Sequence, residues 1–301
     1  MAYDIIMIAT FIDDEYIDRL LNSVVVNNRS VDILIIVVDQ TCSKCLFRSD
    51  NTRVRIHRLH QKSLIPLSRA RNAALEFVMQ SGIVASHVMF PDDDALFDSP
   101  FFYRYGNVVQ TGRSYLIVAV NEENNEPYRR FPLEDGQRLD RRHYQYSMSI
   151  NMILSMEAVV STGYFDERLG VGANYGACED WDYYLRACRH TPFEFSKALH
   201  VYHPSIESAI SRLPMGRVLA RYKSYSKAFI FFAYRHRMFW EIPKSVGRAL
   251  VASGYLCLAR QFKRSVAQLY AAVVRSLYAC AFLVKRRELF LKDWHDGESG
   301  S

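Results

Sequence analysis

Through its first 200 residues the chain alternates short apolar, β-branched runs with stretches in which apolar residues recur at helical spacing. Residues 3–10, 33–39, 54–59, 84–90 and 115–120 read as strands, and 14–26, 68–79 and 99–109 as helices between them. Further on, 147–154 reads as another strand, 156–162 as a short helix, 178–188 as a helix, and 193–203 as an extended segment ending before Pro204. This alternation predicts an α/β domain with a parallel sheet covered on both faces, whose ligands sit beyond the carboxyl ends of the strands.

The strand at 84–90 runs into VMFPDDDALFD, residues 88–98. Pro91 stops it, so Asp92, Asp93 and Asp94 fall in a loop where such a sheet holds its ligand. Adjacent carboxylates repel one another by roughly 4 kcal/mol per close pair at an effective dielectric of about 20, so something positive should offset them. A hard divalent cation such as Mg²⁺ or Mn²⁺, bridging carboxylates to substrate phosphates, is one answer. A solvated turn that caps the next helix is the other.

A second acidic signature, CEDWDYYLRAC at 178–188, follows the glycine-rich stretch GYFDERLGVGANYGA. Glu179, Asp180 and Asp182 open a helix whose apolar positions Trp181, Tyr184, Leu185 and Cys188 repeat at helical spacing. Acids there are favoured by the helix dipole, which gives a purely structural reading. Gly170, Gly172 and Gly176 would let backbone approach a ligand closely, which gives a functional one.

In order and spacing, five segments resemble the family-2 glycosyltransferases of the GT-A fold over roughly residues 3–205. They are the first strand IIMIAT, the second strand ILIIVVDQT carrying Asp39, the segment LSRARNAAL, the acidic triplet after VMF, and the ED pair before WDYYLRA. The resemblance implies a Rossmann-like mixed sheet flanked by helices. It also implies metal-dependent transfer of a sugar from a nucleotide-diphosphate sugar, UDP-sugars first among them, as in bacterial surface polysaccharide synthesis. The acceptor would be a hydroxyl of a glycan or of a polyprenyl-diphosphate-linked chain.

By the same likeness Thr10 and Asp39 would line the base and ribose pocket, and Arg71 would contact the base or diphosphate, with Asn72 shaping its loop. Asp92 would face ribose or sugar, Asp93 would fill the variable middle position, and Asp94 would hold Mn²⁺ or Mg²⁺ together with Asp92 and His203, or His200 in place of His203. Asp180 would be the general base, supported by Glu179, and a single base implies inversion at the anomeric carbon. Trp181 or Tyr175 would offer the acceptor an aromatic face. Two departures fall around the base pocket: ATFIDDEY lacks the usual proline and aromatic, and Gln40 follows Asp39. A nucleotidyltransferase, which also sets aspartates at a sheet end, and a non-catalytic sugar-nucleotide binder are the rival classes.

Charge then divides the chain. Residues 1–208 carry 21 Lys and Arg against 27 Asp and Glu, whereas 209–301 carry 17 against 5. This predicts a catalytic domain at 1–208 and a basic helical region at 209–301. In that region Val266, Leu269, Tyr270, Val273, Val274, Leu277, Ala281 and Val284 follow helical spacing opposite Arg264, Gln268 and Arg275. Arg275 interrupts the apolar run, so the pattern predicts helices lying on an anionic cytoplasmic leaflet, with helices packed on the catalytic domain as the alternative. No nucleic-acid recognition motif accompanies the basic charge, so no nucleic-acid partner is expected. The six cysteines, with Cys42 and Cys45 as a CxxC, and an amino terminus that enters a strand without a basic leader predict a cytoplasmic protein, peripheral on the inner face of the membrane.

Overall fold

Each apolar run read as a strand pairs into one eight-stranded sheet of order β3-β2-β1-β4-β7-β5-β8-β6. In chain order the strands are β1 (Ala2–Phe11), β2 (Ile33–Asp39), β3 (Val54–His60), β4 (Val84–Met89), β5 (Ser114–Asn121), the short β6 (Arg138–Leu139), β7 (Met152–Ser155) and β8 (Phe193–His203). The helices accompanying them are α1 (Asp14–Asn27), α2 (Leu67–Gln80), α3 (Ser99–Val108), α4 (Met156–Thr162) and α5 (Glu179–Ala187). The computed structural model describes residues 2–12, 14–41, 48–204 and 213–284. Cys42 and Cys45, the expected domain boundary between residues 208 and 209, and the chain beyond 284 lie outside them.

Strands β3, β2, β1 and β4 are mutually parallel. The sheet is nonetheless mixed, where alternation alone predicts a parallel one. β7 runs antiparallel to both β4 and β5, and β6 antiparallel to β8. No crossover helix precedes β7; two 3₁₀ turns, Arg141–Tyr146 and Ser149–Asn151, lead into it, which is why the strand starts later than residue 147. The buried Asn151 amide donates to Ile117 O and Tyr146 O and fixes this entry. Because β7 is reversed and β8 is parallel to β5, the carboxyl ends of β1, β2, β4 and β8 share one edge.

Alternation along β1 builds both faces of the core. Ile5, Met7, Ala9 and Phe11 cluster with Ile17, Leu20 and Val24 of α1 and with Phe101 and Phe102 of α3. Ile6 and Ile8 are equally buried on the opposite parity, and α2 crosses β1 and β2. Burial on both faces explains the unbroken apolar runs. Each such side chain contributes about 1.5–3 kcal/mol.

The chain divides into two compact units, and Asn174–Cys178 belongs with the carboxyl-terminal one. That unit is built from α6 (Met215–Arg235), α7 (Glu241–Leu258) and α8 (Phe262–Val284), with α8 packed on both others. The seam between α7 and α8 is rich in small residues. Ala249, Ala267, Ala271 and Ala272 are buried, and the Ser253 and Ser265 hydroxyls donate to each other's carbonyls at 2.9 and 2.8 Å. The sequence reading of the α8 stripe is corrected in one respect: Arg275 turns inward, donating to Ser245 O at 2.9 Å with its guanidinium 5.6 Å from the Phe229 ring. Val266, Leu269, Val273 and Leu277 face outward.

Helices α6 and α7 end in the same Schellman turn. Met238 N–H donates to Ala233 O and Arg237 N–H to Tyr234 O; Gln261 and Arg260 repeat the pattern onto Leu256 and Cys257. The left-handed position, which favours glycine, holds Arg237 (φ 56°) and Arg260 (φ 58°). Arg237→Gly is expected to stabilise the protein by about 0.5–1 kcal/mol, the left-handed penalty less the extra chain entropy of glycine. An unchanged or lower urea midpoint would contradict this.

Candidate active site

Past Pro91 the chain makes a turn in which Ala95 N–H donates to Asp92 O at 3.1 Å, with Asp93 and Asp94 at its corners. The triplet is not the cap of the next helix. Asp98 takes that task, accepting from Phe101 N–H at 2.9 Å. Leu96 then pairs with Tyr202 through two backbone hydrogen bonds of 2.9 and 3.0 Å, which carries His203, the last residue of β8, to the triplet.

The Nε2 of His203 lies 3.0 Å from Asp94 Oδ1 and 3.6 Å from Asp92 Oδ2, while its Nδ1 donates to Pro204 O at 2.8 Å. Burial alone would lower the His203 pKa, but the two carboxylates push it up to about 10. Burial likewise would raise Asp92, yet His203 and Arg71 hold it below the usual carboxylate range. One ligand atom from each of Asp92, Asp94 and His203 lies within 4.8 Å of the others. Two carboxylate oxygens and an imidazole nitrogen are a donor set that fits Mn²⁺ or Mg²⁺. His200 is not part of this group; its Nε2 bonds Lys197 O at 2.9 Å.

Arg71 sits on the inward stripe of α2 with Ala74, Leu75 and Val78 and is only 2% exposed. Its Nη2 donates to Asp92 Oδ1 at 3.1 Å. Its Nη1 has no hydrogen-bond partner among the described residues and lies 3.9 Å from Glu179 Oε1. The Phe165 and Phe90 rings flank the guanidinium at 5.5 and 6.0 Å. Glu76, also on α2, accepts from Gln80 Nε2 at 3.0 Å. Asn72 clamps the Phe165 backbone, accepting from its N–H at 2.7 Å and donating to its carbonyl at 3.0 Å. One buried cation thus joins the acidic triplet to the ED pair.

Asp180 Oδ1 accepts from Trp181 N–H at 2.8 Å. Burial, and then the neighbouring Glu179, push its pKa up to about 7 against the opposing pull of Arg71 and Arg129. Glu179 is also raised, chiefly by burial. An acid serving only the helix dipole would be shifted down. Asp182 is the structural acid of this helix, fully buried and paired with Arg186 at 2.9 Å.

The glycines before α5 turn out to seat the chain on its own elements. A Cβ at Gly170 (φ +99°) would lie 2.9 Å from Ser68 Oγ and 3.3 Å from Glu179 Cδ, and one at Gly172 3.3 Å from Pro66 Cα. At Gly176 it would lie 2.2 Å from Ser224 Oγ of α6. The bare backbones of Gly170 and Gly172 let the loop close on Pro66, Ser68 and Glu179, and that of Gly176 lets it close on α6, each a protein contact.

Of the remaining sequence candidates, Asp39 is buried at the end of β2. Its Oδ1 accepts from Thr41 N–H and Oγ1 at 2.8 and 2.9 Å, and its Oδ2 from Arg58 Nε at 2.7 Å. Burial opposes ionisation, but these partners lower its pKa overall. Thr10 stands beside it on β1, opposite Val38. The Trp181 indole donates to Ser147 O at 3.2 Å and meets Tyr144 edge-on. Tyr175 stacks on Phe231 at 4.1 Å within the helical unit. Sequence reasoning missed Ser149, whose Oγ is 3.4 Å from Asp92 Oδ1, and Arg129, which donates to Gln145 O and acts electrostatically on Asp180. Both come from the aperiodic segment between β5 and β7, where no pattern marks them.

The eight-stranded mixed sheet flanked by helices has the GT-A fold. The same fold is seen in S. aureus TarS. The structure of its residues 1–349 matches with a TM-score of 0.52 and 15% identity over 92% of each chain. The same segment in complex with UDP-GlcNAc matches with a TM-score of 0.53, again at 15% identity over 92% of each chain. A longer TarS structure matches with a TM-score of 0.51 and 14% identity, over 91% of this chain and 55% of that one. At these identities the likeness is one of fold. No protein family and no curated protein matches the chain by sequence.

Proposed function

We propose that the chain is a glycosyltransferase that moves a sugar from a nucleotide-diphosphate sugar, with uridine as the nucleoside, to a hydroxyl of a glycan or lipid-linked acceptor, inverting the anomeric carbon. The observation that carries this reading is Arg71, shared between Asp92 and Glu179, which makes the triplet and the ED pair walls of one site. UDP-GlcNAc bound to TarS, a protein of the same fold, supports the choice of donor.

In this reading the acceptor oxygen bonds to the anomeric carbon as that carbon's bond to the diphosphate breaks. The electron pair departs with the diphosphate and the proton passes to Asp180. A base with a pKa of about 7 is matched to neutral pH, and such assistance contributes about 10²- to 10⁴-fold. With Asp180 as a single base and none of the carboxylates among the described residues assigned as a nucleophile, one displacement inverts configuration. Glu179 keeps Asp180 basic, and Arg71 holds Asp92 ionised toward the donor. Thr10 and Asp39, at neighbouring strand ends, border the nucleoside. A divalent ion held by Asp92, Asp94 and His203 would neutralise charge growing on the leaving diphosphate as a Lewis acid.

A thermal-shift screen of nucleotide sugars with and without Mn²⁺ tests this. A UDP-sugar at a hundred times its Kd should stabilise the folded chain by about 2.7 kcal/mol. Asp94→Ala and His203→Ala should each remove the Mn²⁺-dependent part of the shift. Absence of stabilisation by any nucleotide sugar in either condition would overturn the proposal.

A further inference from the structure

We propose that the α7–α8 hairpin is a wedge that docks, tip first, on an anionic lipid surface. The inference stands on the helical unit alone and is independent of the catalytic reading. Large apolar side chains normally close a helix pair; here serines and alanines close much of the seam, beside Ile242, Leu256 and Val274, and most of the other large ones point out. On α7 the outward residues are Val251, Tyr255 and Leu258, at i, i+4 and i+7; on α8 they are Phe262, Val266, Leu269 and Val273, on the same spacing. Toward the tip, Val251, Tyr255, Leu258 and Phe262 are 61–87% exposed. Isolated exposed apolar residues mean little, but two such faces meeting at one turn form a patch.

Charge selects the occupant. Between residues 213 and 284 there are 12 Lys and Arg against a single acid, Glu241, which is paired with Lys244 and Arg248. Arg260 occupies the turn at the tip, and Lys263 and Arg264 follow on the first turn of α8. A second copy of the same hairpin would set like charge against like charge. A phospholipid surface with anionic headgroups accepts the apolar tip and the basic rim together. Residues 262–283 are long and apolar enough to cross a bilayer. However, Arg275 ties α8 to the Ser245 carbonyl of α7 and the Phe229 ring of α6, so α8 would have to leave these partners to span alone. Lying in the interface keeps them.

The test is flotation of the purified full chain with phosphatidylcholine vesicles and with vesicles containing about one-third phosphatidylglycerol. The wild type should partition at least about tenfold more strongly onto the anionic vesicles, less so as salt is raised. Tyr255→Glu/Leu258→Glu/Phe262→Glu should lower that partition at least about tenfold, with its far-UV circular dichroism and melting curve unchanged because all three side chains are exposed. Three outcomes would overturn the proposal: no flotation of the wild type; equal flotation of the triple variant; or a lipid-free wild-type dimer, in sedimentation equilibrium, that the triple variant converts to monomer.

Discussion

Asp180→Asn is expected to lower the rate of sugar transfer by about 10²- to 10⁴-fold while leaving donor affinity nearly unchanged. The variant keeps the shape and the Trp181 contact of the aspartate but cannot take a proton. The wild-type pH profile should carry the same signature. A general base works ionised, so kcat/KM should rise with pH, bend near the Asp180 value of about 7, and level above it. Glu179→Gln removes the adjacent negative charge that helps to raise Asp180, so the bend should move to lower pH. If Asp180→Asn turned over at the wild-type rate, or the profile showed no acid limb, the base would have to be sought elsewhere.

Arg71→Met should be the most damaging single change in the site. It leaves Asp92 and Glu179 without the cation between them, in a pocket walled by Phe90 and Phe165. Removing one partner of a fully buried pair typically costs 3–5 kcal/mol; with Asp92 38% exposed, about 2–3 kcal/mol at neutral pH is expected. The effect should depend on pH with a definite sign. Asp92 is held below its unfolded value of about 3.9, so its contribution is present above that pH and is lost as pH falls through the folded value. Urea denaturation of wild type and variant should therefore diverge at pH 7, and the gap should narrow as pH falls below about 4. Without the cation, Asp180 should also rise further, moving the acid limb of activity upward. Arg71→Lys should rescue only in part, since one ammonium cannot present two nitrogens to two carboxylates. A gap between wild type and variant that widened toward acid would refute this account.

Much of the fold is legible in the sequence because its strands are buried on both faces and announce themselves as apolar runs. The reversal at β7 is not. A four-residue strand entered through 3₁₀ turns has no periodicity to read, and the buried Asn151 that fixes it looks like any loop asparagine. The acidic triplet, Asp180 and His203 are legible from motif order. Arg71 carries a further signal, a charge at an apolar position of the α2 stripe, which argues for burial rather than for the surface. Ser149 and Arg129 are invisible because long-range pairing places them. In α8 only Arg275 misleads: placed by spacing opposite the apolar stripe, it turns inward onto Ser245 O and the Phe229 ring, because a long side chain can reach a carbonyl and an aromatic face across a seam of small residues.

The antiparallel β7 also bears on how the chain emerges during synthesis. β3, β2, β1 and β4 with α1 and α2 use only residues 2–89, so this half can assemble as soon as it leaves the ribosome. Its flank at β4 is then an open row of unpaired amides and carbonyls until residues 152–155 arrive to close it. At about 5–20 residues per second that interval lasts on the order of several seconds. Translational pauses or early truncations within it would leave a sticky half-sheet, making this stretch of the message the place where a holding chaperone matters most.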